Sequence, residues 1–139
     1  MLSSRPFAVV TGASTGIGLQ LANFAQDVRV DAGKGRTYLL QTDLAATGTA
    51  AATQALCARA RSLLASGRDL EAMAPWALRV QLALYRLGGL AILEAIERLG
   101  YRTDLRRPHI SASQKLLVAT QAIRQSLQES GHARKLGTA

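Results

Sequence analysis

The sequence predicts an all-α domain preceded by a short strand and glycine turn, on three observations. Helix-length stretches with apolar residues at three- and four-residue spacing fill the chain beyond residue 18, bounded by glycine or proline. One β-prone apolar run, Phe7-Ala8-Val9-Val10, stands before Thr11-Gly12. Finally, 139 residues that are 48% hydrophobic suit one compact core.

Taken in order, Phe7 to Val10 reads as a buried strand entering a glycine turn over Thr11 to Gly18. Ile17 to Ala32 has no proline and no glycine after Gly18, and Leu19, Ala22, Ala25 and Arg29 recur at helical intervals. A helix is expected there, ended by Gly33-Lys34-Gly35-Arg36. Thr37 to Leu40 is an extended link, and Thr42-Asp43 starts a brief helical turn to Thr47-Gly48. The alanine-rich run Thr49 to Ser66 has high helix propensity and stops or bends at Gly67, with a short continuation from Asp69 to Met73. Pro75 opens a long helix closed by Gly100. Leu82, Leu87, Leu90, Leu93, Ile96 and Leu99 form its core stripe, and Trp76 anchors its start. Ser111-Ala112-Ser113-Gln114 matches a capping box and opens a last helix to about Gln128, leaving 131–139 as a basic tail.

The formal charge of +8, from 17 Lys plus Arg against 9 Asp plus Glu, favours anionic partners. Fourteen of those cations are arginines scattered with no run longer than Arg106-Arg107 and few aromatics between them, so they read as solvated helix faces and no nucleic-acid partner is expected. Cys57 is the one cysteine, which excludes an intrachain disulfide and a multi-cysteine metal centre and fits a reducing cytoplasm. In an alanine-rich helix it reads as buried and inert. The N-terminal apolar run is too short for a signal-peptide core or a membrane span. Trp76 to Leu99 is interrupted by Arg79, Gln81, Arg86, Glu94, Glu97 and Arg98, giving a buried amphipathic helix, with peripheral association at a membrane surface as the alternative.

Two chemistries meet near residue 18. Glycines between a strand and a helix let a phosphate approach the backbone and the unpaired N–H groups of a helix start. Thr11 to Gly18 resembles the TGxxxGxG opening of the short-chain dehydrogenase/reductase family, with Gly12, Gly16 and Gly18 in place as nucleotide-binding residues. Asp31 follows Gly12 by 19 residues, near where a ribose-binding acid stands in such a unit. The remainder of that fold is not legible. No turn separates a second strand from the helix, no strand–helix alternation follows, and none of Tyr38, Tyr85 or Tyr101 has a lysine four residues on. NAD(P) is therefore not expected as a cofactor.

On the helix that follows, Gln20, Asn23, Asp27 and Asp31 project within about 80° of one another. Such a face offers hard oxygen ligands for Mg²⁺, which can bridge to a diphosphate and stabilise it as a leaving group. Lys34 and Arg36 lie just beyond, where cations neutralise departing charge. Spacing leaves a second reading open, in which Asp27 and Asp31 are solvated or paired with Arg29 or Lys34.

The run Leu19 to Asp31, followed by Lys34-Gly35-Arg36-Thr37-Tyr38-Leu39 and Thr42-Asp43-Leu44, resembles the second aspartate-rich region of the squalene/phytoene synthase family, in particular its bacterial hydroxysqualene synthase branch. Ala58 to Arg61, Leu90 to Tyr101, and Arg106-Arg107-Pro108 with Ser111 resemble that family's C-terminal helices and closing segment. The chain then divides into a dehydrogenase-like leader (1–18), a helical domain similar to the C-terminal half of that family (19–130) and the tail. The resemblance implies part of an isoprenoid-synthase helical bundle whose cavity holds two prenyl diphosphates between two aspartate-rich helices. It implies Mg²⁺-dependent head-to-head condensation of farnesyl diphosphate or similar substrates. Asn23, Asp27 and Asp31 would hold Mg²⁺ and diphosphate, Asp27 and Asp31 as the catalytic pair, with Gln20 in support; Arg36 and Tyr38 would line the diphosphate end. Ala25 stands where the branch often has a bulky aromatic, and Leu40 where a proline is usual. The first aspartate-rich motif has no counterpart, since residues 1–18 contain no acid. The expectation is weak or no activity alone, and a complementing N-terminal half as partner.

Overall fold

The computed structural model describes residues 5–136. Six helices follow one another: α1 (Arg5–Gln26), α2 (Val28–Gly33), α3 (Gln41–Ser66), α4 (Arg68–Met73), α5 (Trp76–Arg98) and α6 (Ala112–Leu136). The expected strand at Phe7 to Val10 and glycine turn at Thr11 to Gly18 are both helical, inside α1. A four-residue strand needs a neighbour to satisfy its N–H and C=O groups, and the described residues contain no other strand. A helix satisfies the same groups locally, and Pro6 is tolerated in its first turn.

Gly18, the last glycine of the N-terminal motif, serves packing. Thr15, Gly18, Ala22 and Ala25 are all buried and line one side of α1, letting α3 approach closely. A Cβ on Gly18 would stand 3.0 Å from Leu64 Cγ and 3.1 Å from both Leu63 Cβ and the Leu64 nitrogen. From the other side, a Cβ on Gly89 of α5 would stand 2.8 Å from Leu64 Cδ1, so Leu64 fills the gap between two glycines. Around it Ala22 and Ala25, Leu56, Cys57 and Ala60, and Leu93 and Ile96 form the core where α1, α3 and α5 meet. The remaining members of the expected α5 stripe, Leu82, Leu87, Leu90 and Leu99, are half-buried, and Trp76 is exposed at the helix start rather than anchored.

The termini follow their local signals. Helix α5 closes in a Schellman turn, with Tyr101 N–H donating to the Ile96 carbonyl at 3.1 Å and Gly100 N–H to the Glu97 carbonyl at 2.9 Å. Gly100 takes the left-handed conformation this requires, and Tyr101 follows it at φ +61°. Ser111 and Gln114 form the expected capping box, the Ser111 N–H donating to Gln114 Oε1 at 2.9 Å and the Gln114 N–H to Ser111 Oγ at 3.2 Å. Beyond it α6 runs to Leu136, past the expected end at Gln128 and through most of the expected tail; 137–139 lie outside the described residues. Gly48, at φ +79°, kinks α3 between the short turn from Gln41 and the alanine-rich run.

Two arginines that read as solvated are buried. Arg86 donates to Glu71 Oε1 at 2.5 Å, to Glu71 Oε2 at 2.9 Å and to Gln125 Oε1 at 3.0 Å, joining α4, α5 and α6 through one guanidinium. Two turns earlier, Arg79 donates to the Ala74 carbonyl at 3.0 Å and the Ser126 carbonyl at 3.4 Å. Such a polar joint fixes the orientation of α6, which packs chiefly on α5.

Candidate active site

The aspartate face is built at the α1–α2 junction. The single helix expected over 17–32 breaks at Asp27 (φ −100°, ψ 14°), yet the four-residue hydrogen-bond register continues through it. Asp27 N–H donates to the Asn23 carbonyl at 3.0 Å, and Asp31 N–H to the Asp27 carbonyl at 2.8 Å. Asn23, Asp27 and Asp31 therefore remain stacked one turn apart, with Gln20 and Asn23 exposed and both aspartates half-buried.

Helix α2 then ends in a second Schellman turn. Gly35, at φ +68°, donates to the Ala32 carbonyl at 3.0 Å, and Arg36 N–H to the Asp31 carbonyl at 2.9 Å. This reversal turns the 36–39 link back along the helix it has just left. The Tyr38 ring stacks on Phe24 at 4.0 Å between centroids and 5° between planes, and Leu39 enters the core. Between the link, α1–α2 and the start of α3 lies a cavity of about 350 Å³, with Phe24, Val28, Tyr38 and Leu44 as apolar wall and Asp31, Arg36 and Asp104 as charged groups.

The structure thus brings Asp31, Arg36 and Tyr38 into one cavity. It leaves Gln20, Asn23 and Lys34 exposed outside its lining, and places Asp27 beside it. Gly12, Gly16 and Gly18 form no phosphate-binding turn, because all three lie within α1. Asp27 pairs with neither Arg29 nor Lys34. Its carboxylate is engaged by Arg107, Nε to Oδ1 at 2.6 Å and Nη2 to Oδ2 at 3.4 Å.

Sequence reasoning missed three contributors. Phe24 supplies the stacking partner of Tyr38, and its spacing from the aspartates gave no hint of a link folding back. Arg107 was visible as half of the one adjacent arginine pair, but its partner lies 80 residues away. Asp104 adds a carboxylate to the cavity rim, where two hydrogen bonds from Arg102, each 3.0 Å, hold its pKa below the ordinary carboxylate value despite partial desolvation. It is anionic at neutral pH and already paired.

The donor set on the aspartate face, two carboxylates and amide oxygens, suits a hard divalent cation. Among the described residues, no three acidic, histidine or cysteine side chains cluster as a self-contained metal centre, so a cation at this face would need further ligands from water or phosphate oxygens. No helix among the described residues is long and apolar enough to cross a membrane.

Comparison of the sequence with curated proteins gives no match. The structure is similar to the crystal structure of squalene synthase HpnC from Alicyclobacillus acidocaldarius, with a TM-score of 0.65 and 36% sequence identity over 72% of this chain. The chain spans 43% of the length of that relative. A sequence profile described as squalene/phytoene synthase matches residues 5–114, beginning within the expected leader. With most of its length matched in sequence and its helices superposing on a solved relative, the chain belongs to the squalene/phytoene synthase family.

Proposed function

We propose that this chain carries the second aspartate-rich part of an enzyme of isoprenoid biosynthesis that condenses prenyl diphosphates such as farnesyl diphosphate with Mg²⁺. The observation that carries the reading is the cavity that joins Asp31 and Arg36 to an apolar wall capped by the Phe24–Tyr38 stack. An amphiphile with a diphosphate head and a hydrocarbon tail has those two needs. Mg²⁺ bound at the aspartate face would supply Lewis-acid stabilisation of the leaving diphosphate. Asp27 and Asp31 hold that cation, Asn23 adds an amide oxygen, Gln20 supports the same face, and Arg36 faces the developing anionic charge with Lys34 nearby. Phe24, Tyr38 and Leu44 keep water from the hydrocarbon.

Two carboxylates with Arg36 and Lys34 supply only part of the electrostatic stabilisation such an ionisation needs. Weak turnover by this chain alone follows, raised by a complementing polypeptide that brings a second aspartate pair. The test is equilibrium binding of a non-hydrolysable farnesyl diphosphate analogue to the full chain. Binding is expected to require Mg²⁺ and to weaken about tenfold or more in Asp31→Asn and in Arg36→Ala, as loss of a charged partner implies. Equal affinity without Mg²⁺, or in Asp31→Asn, would overturn the reading.

A further inference from the structure

The two aspartates of the face are not equivalent. Asp31 opens on the cavity and has no ion pair among the described residues, whereas both oxygens of Asp27 are engaged by Arg107. We propose that Arg107 is the resident counter-cation of Asp27, so that a divalent cation binds that carboxylate only by displacing it. The inference rests on the reading of Asp27 as a cation-holding group.

An exposed arginine pair is ordinarily weak, because ordering a long side chain offsets most of the Coulomb gain. Here the backbone of Arg107 is itself held beside Asp27. On one side of it Gln26 Nε2 donates to the Pro108 carbonyl at 3.0 Å, and on the other Arg29 Nη1 donates to the Leu105 carbonyl at 2.9 Å. Residues 105–108 are thus strapped to the α1–α2 junction at two points besides the ion pair itself, which raises the effective concentration of the guanidinium at the carboxylate. The base of the segment is fixed as well, by the Schellman turn at Gly100 and by Thr103, which is fully buried.

Displacement has a direction and a resistance. Arg107 also lines a cavity of about 200 Å³ between the end of α5 and the closing segment, so there is space for it to withdraw. Arg98, Arg106 and His109 line the same space, and no carboxylate does. A guanidinium leaving Asp27 therefore exchanges an anion for the company of cations. That like-charge penalty protects the Asp27–Arg107 pair and makes Arg107 a positioning residue, setting how tightly the face takes a divalent cation.

The experiment is a calorimetric titration of Mn²⁺ into the full chain, alongside Arg107→Gln, Asp27→Asn and the double variant. Arg107→Gln is expected to bind Mn²⁺ about fivefold more tightly than the parent, the scale set by an exposed but geometrically favourable ion pair. That gain is expected to vanish in the Asp27→Asn background. In the parent, saturating Mg²⁺ is expected to speed amide exchange over residues 105–108. Should the parent bind Mn²⁺ and Asp27→Asn weaken it while Arg107→Gln changes nothing or weakens it further, the displacement is refuted and the cation-holding role of Asp27 stands. A gain that persists without Asp27 also refutes it. Absence of Mn²⁺ binding in all four proteins overturns both the inference and the reading beneath it.

Discussion

Replacing Gly16 and Gly18 separately by alanine should move stability in opposite directions, although the two glycines stand two residues apart in the same motif. Both lie within α1, where alanine is favoured over glycine by about 0.8–1 kcal/mol. A Cβ on Gly16 meets nothing within 4 Å, so Gly16→Ala should collect that whole gain. On Gly18 the new methyl stands 3.0–3.1 Å from Leu64 Cγ, Leu63 Cβ and the Leu64 backbone nitrogen. A rotamer change in Leu64 relieves the first contact; only a shift of α3 relieves the last. Overpacking of this kind costs about 1–3 kcal/mol, so after the propensity gain Gly18→Ala should be destabilised by roughly 1 kcal/mol. Urea unfolding followed by far-ultraviolet circular dichroism measures both, and the two variants should differ by about 2 kcal/mol. In thermal unfolding each kilocalorie corresponds to a shift of about 3–5 °C for a domain of this size. A phosphate-binding turn predicts otherwise, since each glycine would then be held by backbone conformation and both replacements would destabilise. A destabilised Gly16→Ala would refute the helical account of this segment.

Two further outcomes follow from buried groups. Glu71→Gln leaves the Arg86 guanidinium buried with Gln125 and a neutral amide, and should cost about 3–5 kcal/mol in denaturant unfolding, whereas replacing Glu71 and Arg86 together by methionine should recover most of that loss; equal losses in the two proteins would count against the pair. Burial, opposed by Arg61 and aided by Glu97, pushes the Cys57 thiol up to about 11. The folded state then holds its proton where the unfolded chain has lost it, so stability should be constant below the ordinary thiol value near 9 and fall as pH rises toward 11, by on the order of 2 kcal/mol. Denaturation at stepped pH should show this slope in the parent and not in Cys57→Ala.

What was legible in the sequence was local. The capping box at Ser111, the glycine closures at Gly35 and Gly100 and the bend at Gly67 depend on a few neighbouring residues, and each appears where the sequence places it. The aspartate face was legible for the same reason, being a matter of spacing along one helical register. The contacts that turn that face into a site were not. Tyr38 reaches Phe24 because a Schellman turn reverses the chain, and Arg107 reaches Asp27 across 80 residues. Arg79 and Arg86 were read as solvated because arginine seldom buries alone, and their partners, Glu71, Gln125 and the carbonyls at 74 and 126, come from α4, α6 and the link between α4 and α5.

The N-terminal segment shows how one set of residues supports two periods. Counted as glycines, positions 12, 16 and 18 give the spacing of a nucleotide turn. Counted as small residues of any kind, Thr15, Gly18, Ala22 and Ala25 repeat at three, four and three, which is helical and continues without interruption past residue 18. A nucleotide turn needs strands on both sides of its helix, and the sequence offers one short candidate; a small-residue stripe needs only a bulky side chain opposite, and Leu64 provides it. The period with the less demanding requirement is the one the chain adopts. Its consequence reaches the site, because the close approach of α3 to α1 that Gly18 permits also brings the start of α3 beside the α1–α2 junction. There Leu44 and Thr49 complete the cavity that holds Asp31. A residue that looked like part of a nucleotide pocket therefore contributes to a different cavity, the one lined by Asp31 and Arg36, through helix packing alone.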